Sequence, residues 1–371
     1  MSDFALAGNV RLPDGFVQAT LFISGGRIEA ISLGLHSKAD WSFDGWIAPG
    51  FIDLQVNGAY GFDFTTDRSS IVQVAKRLPA TGVTSFLPTI ITSPLENYRQ
   101  IANEWNGAQG AQVLGIHLEG PYLNPKRKGA HNPAFLRAPN VAELDAWVSS
   151  SQVRLVTLAP ELPGALEMIR RLAARGVVVS AGHSDADYTE ANAGFTAGVT
   201  WGTHLYNVMA PFTHREPGLI GALLASETPC GLIVDGVHVH PAVVNTTFRA
   251  KGARGITLVT DAMAAMGMGP GRYQLGDRAV IVDATSARLE DGTLAGSILQ
   301  MDAAMRNMIA YTGCSLADAI TMASATPARV LGLKNKGRIA AGCDADLVVL
   351  DKSLRVDMTI ARGEIVYQRN I

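Results

Sequence analysis

Val113-Leu114-Gly115-Ile116-His117-Leu118-Glu119-Gly120-Pro121 reads as a short apolar strand that delivers a carboxylate at its end. The same design recurs along the chain. Val177-Val178-Val179-Ser180 leads into Gly182-His183-Ser184, and Val199-Thr200-Trp201-Gly202-Thr203 into His204-Leu205-Tyr206-Asn207. Ile256-Thr257-Leu258-Val259-Thr260 leads into Asp261. Parallel strands buried on both faces read as apolar runs, and in a barrel their C-terminal ends meet at one mouth. A carboxylate, two imidazoles and a further carboxylate placed there are what one metal ion and an activated water require. These residues by themselves point to a metal-dependent hydrolase.

Working outward, residues 49–335 alternate strand-like and helix-like segments. Eight strand candidates end near Asp53, Pro88, Glu119, Ala159, His183, His204, His238 and Asp261. Helix-like stretches such as Ala165 to Arg175 and Ser184 to Gly194 lie between them. The pattern predicts an α/β chain with a (β/α)8 TIM barrel. An open doubly wound sheet would carry a Gly-rich phosphate loop after its first strand, and Val56-Asn57-Gly58-Ala59-Tyr60-Gly61 is not one. Both chain ends are β-like. Leu21-Phe22-Ile23, Gly25-Gly26-Arg27 and Ile28-Glu29-Ala30-Ile31 form strands around a turn, as do Ala345 to Leu350 and Gly363 to Tyr367. They predict one small β-sandwich domain, 1–48 plus 336–371, beside a barrel domain, 49–335; two separate β decorations are the alternative.

Composition narrows the function. A hydrophobic share of 47% and a charged share of 17% are those of a soluble globular protein. The net charge of -2, with Lys126-Arg127-Lys128 as the densest basic cluster, gives no electrostatic case for nucleic acid or an anionic membrane. No apolar stretch is long enough to span a bilayer, and Met1-Ser2-Asp3-Phe4 does not open a signal peptide. Cys230, Cys314 and Cys343 lie far apart and form no CxxC, which predicts reduced thiols and a cytoplasmic compartment.

Glu119, His183 and His204 are the candidate metal ligands, since two imidazoles, a carboxylate and an open fourth position make a catalytic zinc pattern. Zinc is the default; Fe2+, Co2+ or Mn2+ suit the same N/O donors, depending on supply. Asp261 is placed to take a proton from the attacking water and pass it to the leaving group, and opening a helix as its N-cap is its plainer use. Gln55 and Asn57 share a strand face where many barrel hydrolases have His-x-His. Amides are poor zinc ligands, so one ion is expected, with this pair lining the site. His131, in the basic loop Asn124 to His131, can stabilise an oxyanion if that loop is a lid. Arg215 and His238 follow strands six and seven, where barrels often bind phosphate. His117 reads as a barrel-core residue.

Together these segments resemble the N-acetylglucosamine-6-phosphate deacetylase family of the amidohydrolase superfamily. The resemblance is carried by Pro49-Gly50-Phe51-Ile52-Asp53-Leu54-Gln55-Val56-Asn57-Gly58, His117-Leu118-Glu119-Gly120-Pro121 and Gly182-His183-Ser184. Thr203 to Met209, Arg215-Glu216-Pro217-Gly218, Asp235-Gly236-Val237-His238 and Thr260-Asp261-Ala262-Met263 continue it in family order. It implies a homodimer that removes acetate from N-acetyl-D-glucosamine 6-phosphate, in amino-sugar catabolism and cell-wall sugar recycling. It implies Glu119, His183 and His204 on the metal, Asp261 as acid/base and His131 on the acetyl carbonyl. Asn207, the backbone near Val208, Arg215 and His238 would hold the phosphate, one of them reaching in from the partner. Two departures stand out: Gln55-x-Asn57 matches the single-metal branch, and Val208 stands where many relatives carry Ala. The galactosamine epimer is the close alternative substrate. Dihydroorotase or D-aminoacylase chemistry would want His-x-His, and a non-catalytic barrel would have lost a ligand or Asp261.

Overall fold

The computed structural model describes residues 3–99, 105, 108–147 and 152–369. Eight parallel strands form its centre: Phe51–Val56, Val83–Ile91, Ile116–Glu119, Val153–Leu158, Val178–Ala181, Val199–Gly202, Cys230–Leu232 and Ile256–Leu258. All six residues of the first and all nine of the second are buried, as a strand sandwiched between barrel interior and helix layer requires. Helices Ala165–Ala174, Tyr188–Ala197, Gly218–Ala225 and Pro241–Gly255 return the chain between later strands. The ring closes where Asp261 N–H donates to Gln55 O at 2.9 Å and Asn57 N–H to Ala262 O at 2.7 Å. This is the expected TIM barrel.

Two boundaries differ from the sequence expectation. The helix expected from Ser184 begins at Tyr188. The Ser184 hydroxyl is taken by Glu161 at 2.7 Å, while Asp187 and Glu190 make a reciprocal capping box. The seventh strand ends at Leu232, six residues before His238, and the intervening Asp235 uses its carboxylate to hold the backbone N–H groups of Val237 and His238 in a turn.

Both chain termini join one seven-stranded sheet, in the order Glu364–Gln368, Val356–Ala361, Leu347–Leu350, Trp41–Pro49, Phe4–Leu12, Gly15–Ser24, Arg27–Leu33. Leu6, Leu21, Ile47, Leu347 and Ile360 from both ends share one core. Gly25 (φ 56°) and Gly26 (φ 80°) supply the two left-handed residues of its tight hairpin turn. Lys336 is buried, 3.0 Å from Asp344 and paired also with Asp346, which leads into the strand Leu347–Leu350. Lys336→Met should destabilise the protein by about 3–5 kcal/mol, because it strands a buried carboxylate. Denaturant midpoints at an unchanged m-value would measure this. The three cysteines are buried and unbridged. No helix among the described residues is long and apolar enough to cross a membrane.

An element without a sequence expectation is the three-stranded sheet Gly271–Leu275, Arg278–Val282 and Ala287–Arg288, inserted after the eighth barrel strand. It stands over the barrel mouth, tied to the loop of His131 by a hydrogen bond between Asn132 and Asp277.

Candidate active site

Glu119 ends the third barrel strand, and His183 and His204 stand two residues beyond the fifth and sixth. All three are buried. Glu119 Oε1 lies 3.2 Å from His183 Nε2 and 3.1 Å from His204 Nε2, and the two nitrogens are 3.1 Å apart. Ligands around a tetrahedral zinc ion stand about 3.4 Å from one another. This near-equilateral triangle therefore fits one face of such a site. His183 Nδ1 is 2.9 Å from the Arg127 carbonyl, which can only accept, so the proton sits on Nδ1 and Nε2 offers its lone pair. Gln55 Nε2 donates to Glu119 Oε1 at 3.0 Å and braces that carboxylate.

The electrostatics of the triangle favour a cation. Burial works against the charge on Glu119, yet the two imidazoles hold its carboxyl well below the usual range. Burial also disfavours an imidazolium at His204, and the Glu119 charge overcomes it and raises the pKa. Metal and protons therefore compete for the same donors.

A cavity of about 350 Å3 opens over the triangle, within the size range of small-ligand sites. Asp261, Asn57, His131, Asn207, Val208 and His238 line it together with Glu119, His183 and His204. Asp261 is pushed up to about 6, first by burial and then by the Glu119 charge, and its Oδ1 accepts from Asn57 Nδ2 at 2.7 Å. His131 is buried, not a surface residue of the loop. Its Nδ1 accepts from Thr92 N–H at 3.3 Å, which leaves the proton on Nε2, 3.8 Å from Glu119 Oε2. Burial brings His131 down to about 3, so it is a neutral donor. His238 Nδ1 lies 2.7 Å from Asp235 Oδ2, which fixes the orientation of the ring.

Backbone strain concentrates here. His183 (φ 51°), His204 (φ 26°), Val208 (φ 48°) and Asp261 (φ 49°) all occupy left-handed conformations. Each costs an L-residue about 1–2 kcal/mol. Such strain persists only where surrounding bonds enforce it, and it gathers at functional sites. The loop before His131 is pinned rather than free, since Arg127 pairs with Asp185 at 2.7 Å. At Gly129 (φ 56°) an added Cβ would come within 2.9 Å of Val208 Cγ1, so the close approach of loop and cavity wall requires glycine there.

Other expected residues fall elsewhere. Gln55 is buried beneath the cavity and acts on Glu119. Arg215 is exposed and lines a separate surface cavity of about 460 Å3 with Arg127, Asp185 and Tyr188, so one chain does not bring it to the metal triangle. His117 is a core residue. Its Nδ1 is 3.1 Å from Leu54 O and its Nε2 2.8 Å from Thr157 Oγ1, and burial lowers it to about 4. Sequence reasoning missed Arg288, at the end of the inserted sheet, and Leu294, bridged to it, both of which line the cavity. Arg288 donates to Ser286 Oγ and Gly292 O and is the one guanidinium lining the cavity among the described residues. The Asp291-Gly292 turn signal marks a hairpin there but carries no chemistry of its own.

Comparison with known proteins agrees with this geometry. The model of the amidohydrolase family matches residues 46–366. The N-acetylglucosamine-6-phosphate deacetylase of Bos taurus is 44% identical, over 94% of this chain and 91% of its own length. The N-acetylgalactosamine-6-phosphate deacetylase of Escherichia coli O157:H7 is 42% identical, over 86% of this chain and 87% of its own. Among solved structures, an Asp-to-Ala mutant of N-acetyl-D-glucosamine-6-phosphate deacetylase from Mycobacterium smegmatis, in complex with N-acetyl-D-glucosamine-6-phosphate, superposes with a TM-score of 0.93. It is 35% identical, covering 99% of this chain and 100% of that one. The chain belongs to the amidohydrolase family, and within it to the N-acetylglucosamine-6-phosphate deacetylases.

Proposed function

We propose that this protein hydrolyses the acetamide of N-acetyl-D-glucosamine 6-phosphate to D-glucosamine 6-phosphate and acetate. The observation that carries this reading is the buried Glu119–His183–His204 triangle, sharing one cavity with an Asp261 carboxyl raised to about 6. Kinship with the deacetylases names the substrate. Arg288 puts a guanidinium in the cavity wall and His238 lines the same cavity, which suits a ligand with a phosphate at its far end.

Glu119, His183 and His204 would hold a divalent ion, which would supply an acidified water and Lewis-acid polarisation of the acetyl carbonyl. Zinc is the proposed ion, because two imidazole nitrogens and a carboxylate with this spacing suit it. Asp261 takes the proton as the water oxygen bonds to the acetyl carbon. Charge collects on the former carbonyl oxygen, and the Nε2–H of His131 donates to it. Asp261 then gives its proton to the amide nitrogen, the C–N bond breaks, and acetate and the free amine leave. Asn57 keeps the Asp261 carboxylate oriented through both transfers. Asn207, the backbone at Val208 and His238 hold the phosphate. Arg215, exposed and apart from this chain's own cavity, serves the partner's cavity in a homodimer. Buried, unbridged cysteines support a cytoplasmic setting.

Acetate release from N-acetylglucosamine 6-phosphate tests this, with the galactosamine 6-phosphate epimer and the unphosphorylated sugar beside it. Activity on the first substrate, lost on chelation and restored by zinc, is the expected result. Activity confined to the epimer keeps the mechanism and moves the protein to the galactosamine substrate, which the Escherichia coli relative keeps in view. Inactivity on all three sinks the reading.

A further inference from the structure

The proposed acid/base, Asp261, sits at the barrel's seam. No strand ladder among the described residues joins Phe51–Val56 to Ile256–Leu258. Beneath that seam lies a second carboxylate, Asp53, fully buried and unused by the mechanism. Its Oδ2 accepts from the Thr260 hydroxyl at 2.6 Å, and its Oδ1 accepts from Thr260 N–H at 3.3 Å and Gln55 N–H at 3.2 Å. Thr260 is held from the other side as well: Ser297 Oγ donates to its carbonyl at 2.5 Å, and its own Oγ1 accepts from Ala262 N–H at 3.2 Å. Asp261, between these anchors, is left-handed, and its carbonyl accepts from Ser297 N–H at 2.8 Å.

Burial pushes the Asp53 carboxyl up to about 7, while its Thr260 and Gln55 donors favour the ionised form, and a buried carboxyl persists where donors surround it. A carboxylate that merely stapled the seam could bond any residue along it. All three donors here come from Thr260, next to Asp261, and from Gln55, which braces Glu119.

We infer that Asp53 is a positioning residue for the acid/base, acting through the Thr260 hydroxyl to hold the strained backbone that aims Asp261 at Asn57. The inference rests on the reading of Asp261 given above. Thr260→Val keeps the shape and removes the hydroxyl, and Thr260→Ser keeps the hydroxyl. Thr260→Val is expected to lower kcat by about 10–100-fold, with KM within about twofold and one metal ion per chain, because small misplacements of a reacting group are that costly. Thr260→Ser is expected to restore most of the rate. In a crystal structure of the Val variant, the Asp261 carboxylate should leave Asn57. An unchanged kcat, an equal loss in the Ser variant, or an unmoved Asp261 overturns the inference. Inactive wild-type enzyme would overturn the proposed function instead, and the crystal structure would still decide the positioning.

Discussion

Asp261→Asn is expected to leave the metal bound and to lower kcat by about 10^3-fold, within the usual range for loss of a general acid/base. The amide keeps the size of the carboxylate and can still meet Asn57, so fold and metal triangle stay intact. It can neither accept the water's proton nor return it to nitrogen, so both transfers fail. The wild-type pH profile carries a second expectation. The base must be ionised, and burial with the Glu119 charge places its titration at about 6. Activity should fall as pH drops through that value, by about tenfold per unit once the protonated form dominates. A bound cation would move that limb to lower pH, and removing the Asn57 amide would move it higher, since that hydrogen bond favours the charged form. Steady-state rates, with metal content measured on the same samples, decide it; normal turnover in the Asn variant removes Asp261 from the mechanism.

Glu119→Gln is expected to abolish activity by a different route, loss of the ion. Glu119 is the one carboxylate of the triangle, and both imidazoles face its Oε1 within 3.2 Å. The neutral amide is a poor ligand, and two buried imidazoles alone are left to compete with protons. Loss of a mere supporting hydrogen bond costs about 10–100-fold in metal affinity, so this change should exceed roughly 100-fold. Elemental analysis after dialysis should show the variant empty where the wild type holds one ion per chain. One retained ion in the variant would exclude Glu119 as a ligand. The contrast between the two variants is diagnostic: one holds metal without turnover, the other holds none.

The residues that open these arguments were visible before the fold. Glu119, His183, His204 and Asp261 follow apolar runs, and a strand buried on both faces cannot hide that pattern. The seven-stranded sheet was partly visible too, because Gly25-Gly26 between alternating segments names its hairpin turn. The inserted sheet was less visible. Its strands are short and half exposed, and an arginine in a hairpin reads as solvated until a cavity is seen beside it. Asp53 passed as part of a superfamily signature, since nothing in one dimension places it against Thr260, 207 residues away.

The sequence by itself determined which chemistry this chain can perform, because ligand types and strand endings are properties of residues and their order. Tertiary structure decided which residues act together. Left-handed turns at His183, His204 and Asp261 are unfavourable for isolated L-residues, and only bonds from distant strands impose them. Closure of the first strand on the eighth sets Asn57 on Asp261, and packing of the loop from Asn124 buries His131 over the metal triangle. The same packing leaves Arg215 outside. Proximity across a closed barrel follows from how the strands pack around one another, and that arrangement exists only once the chain has folded.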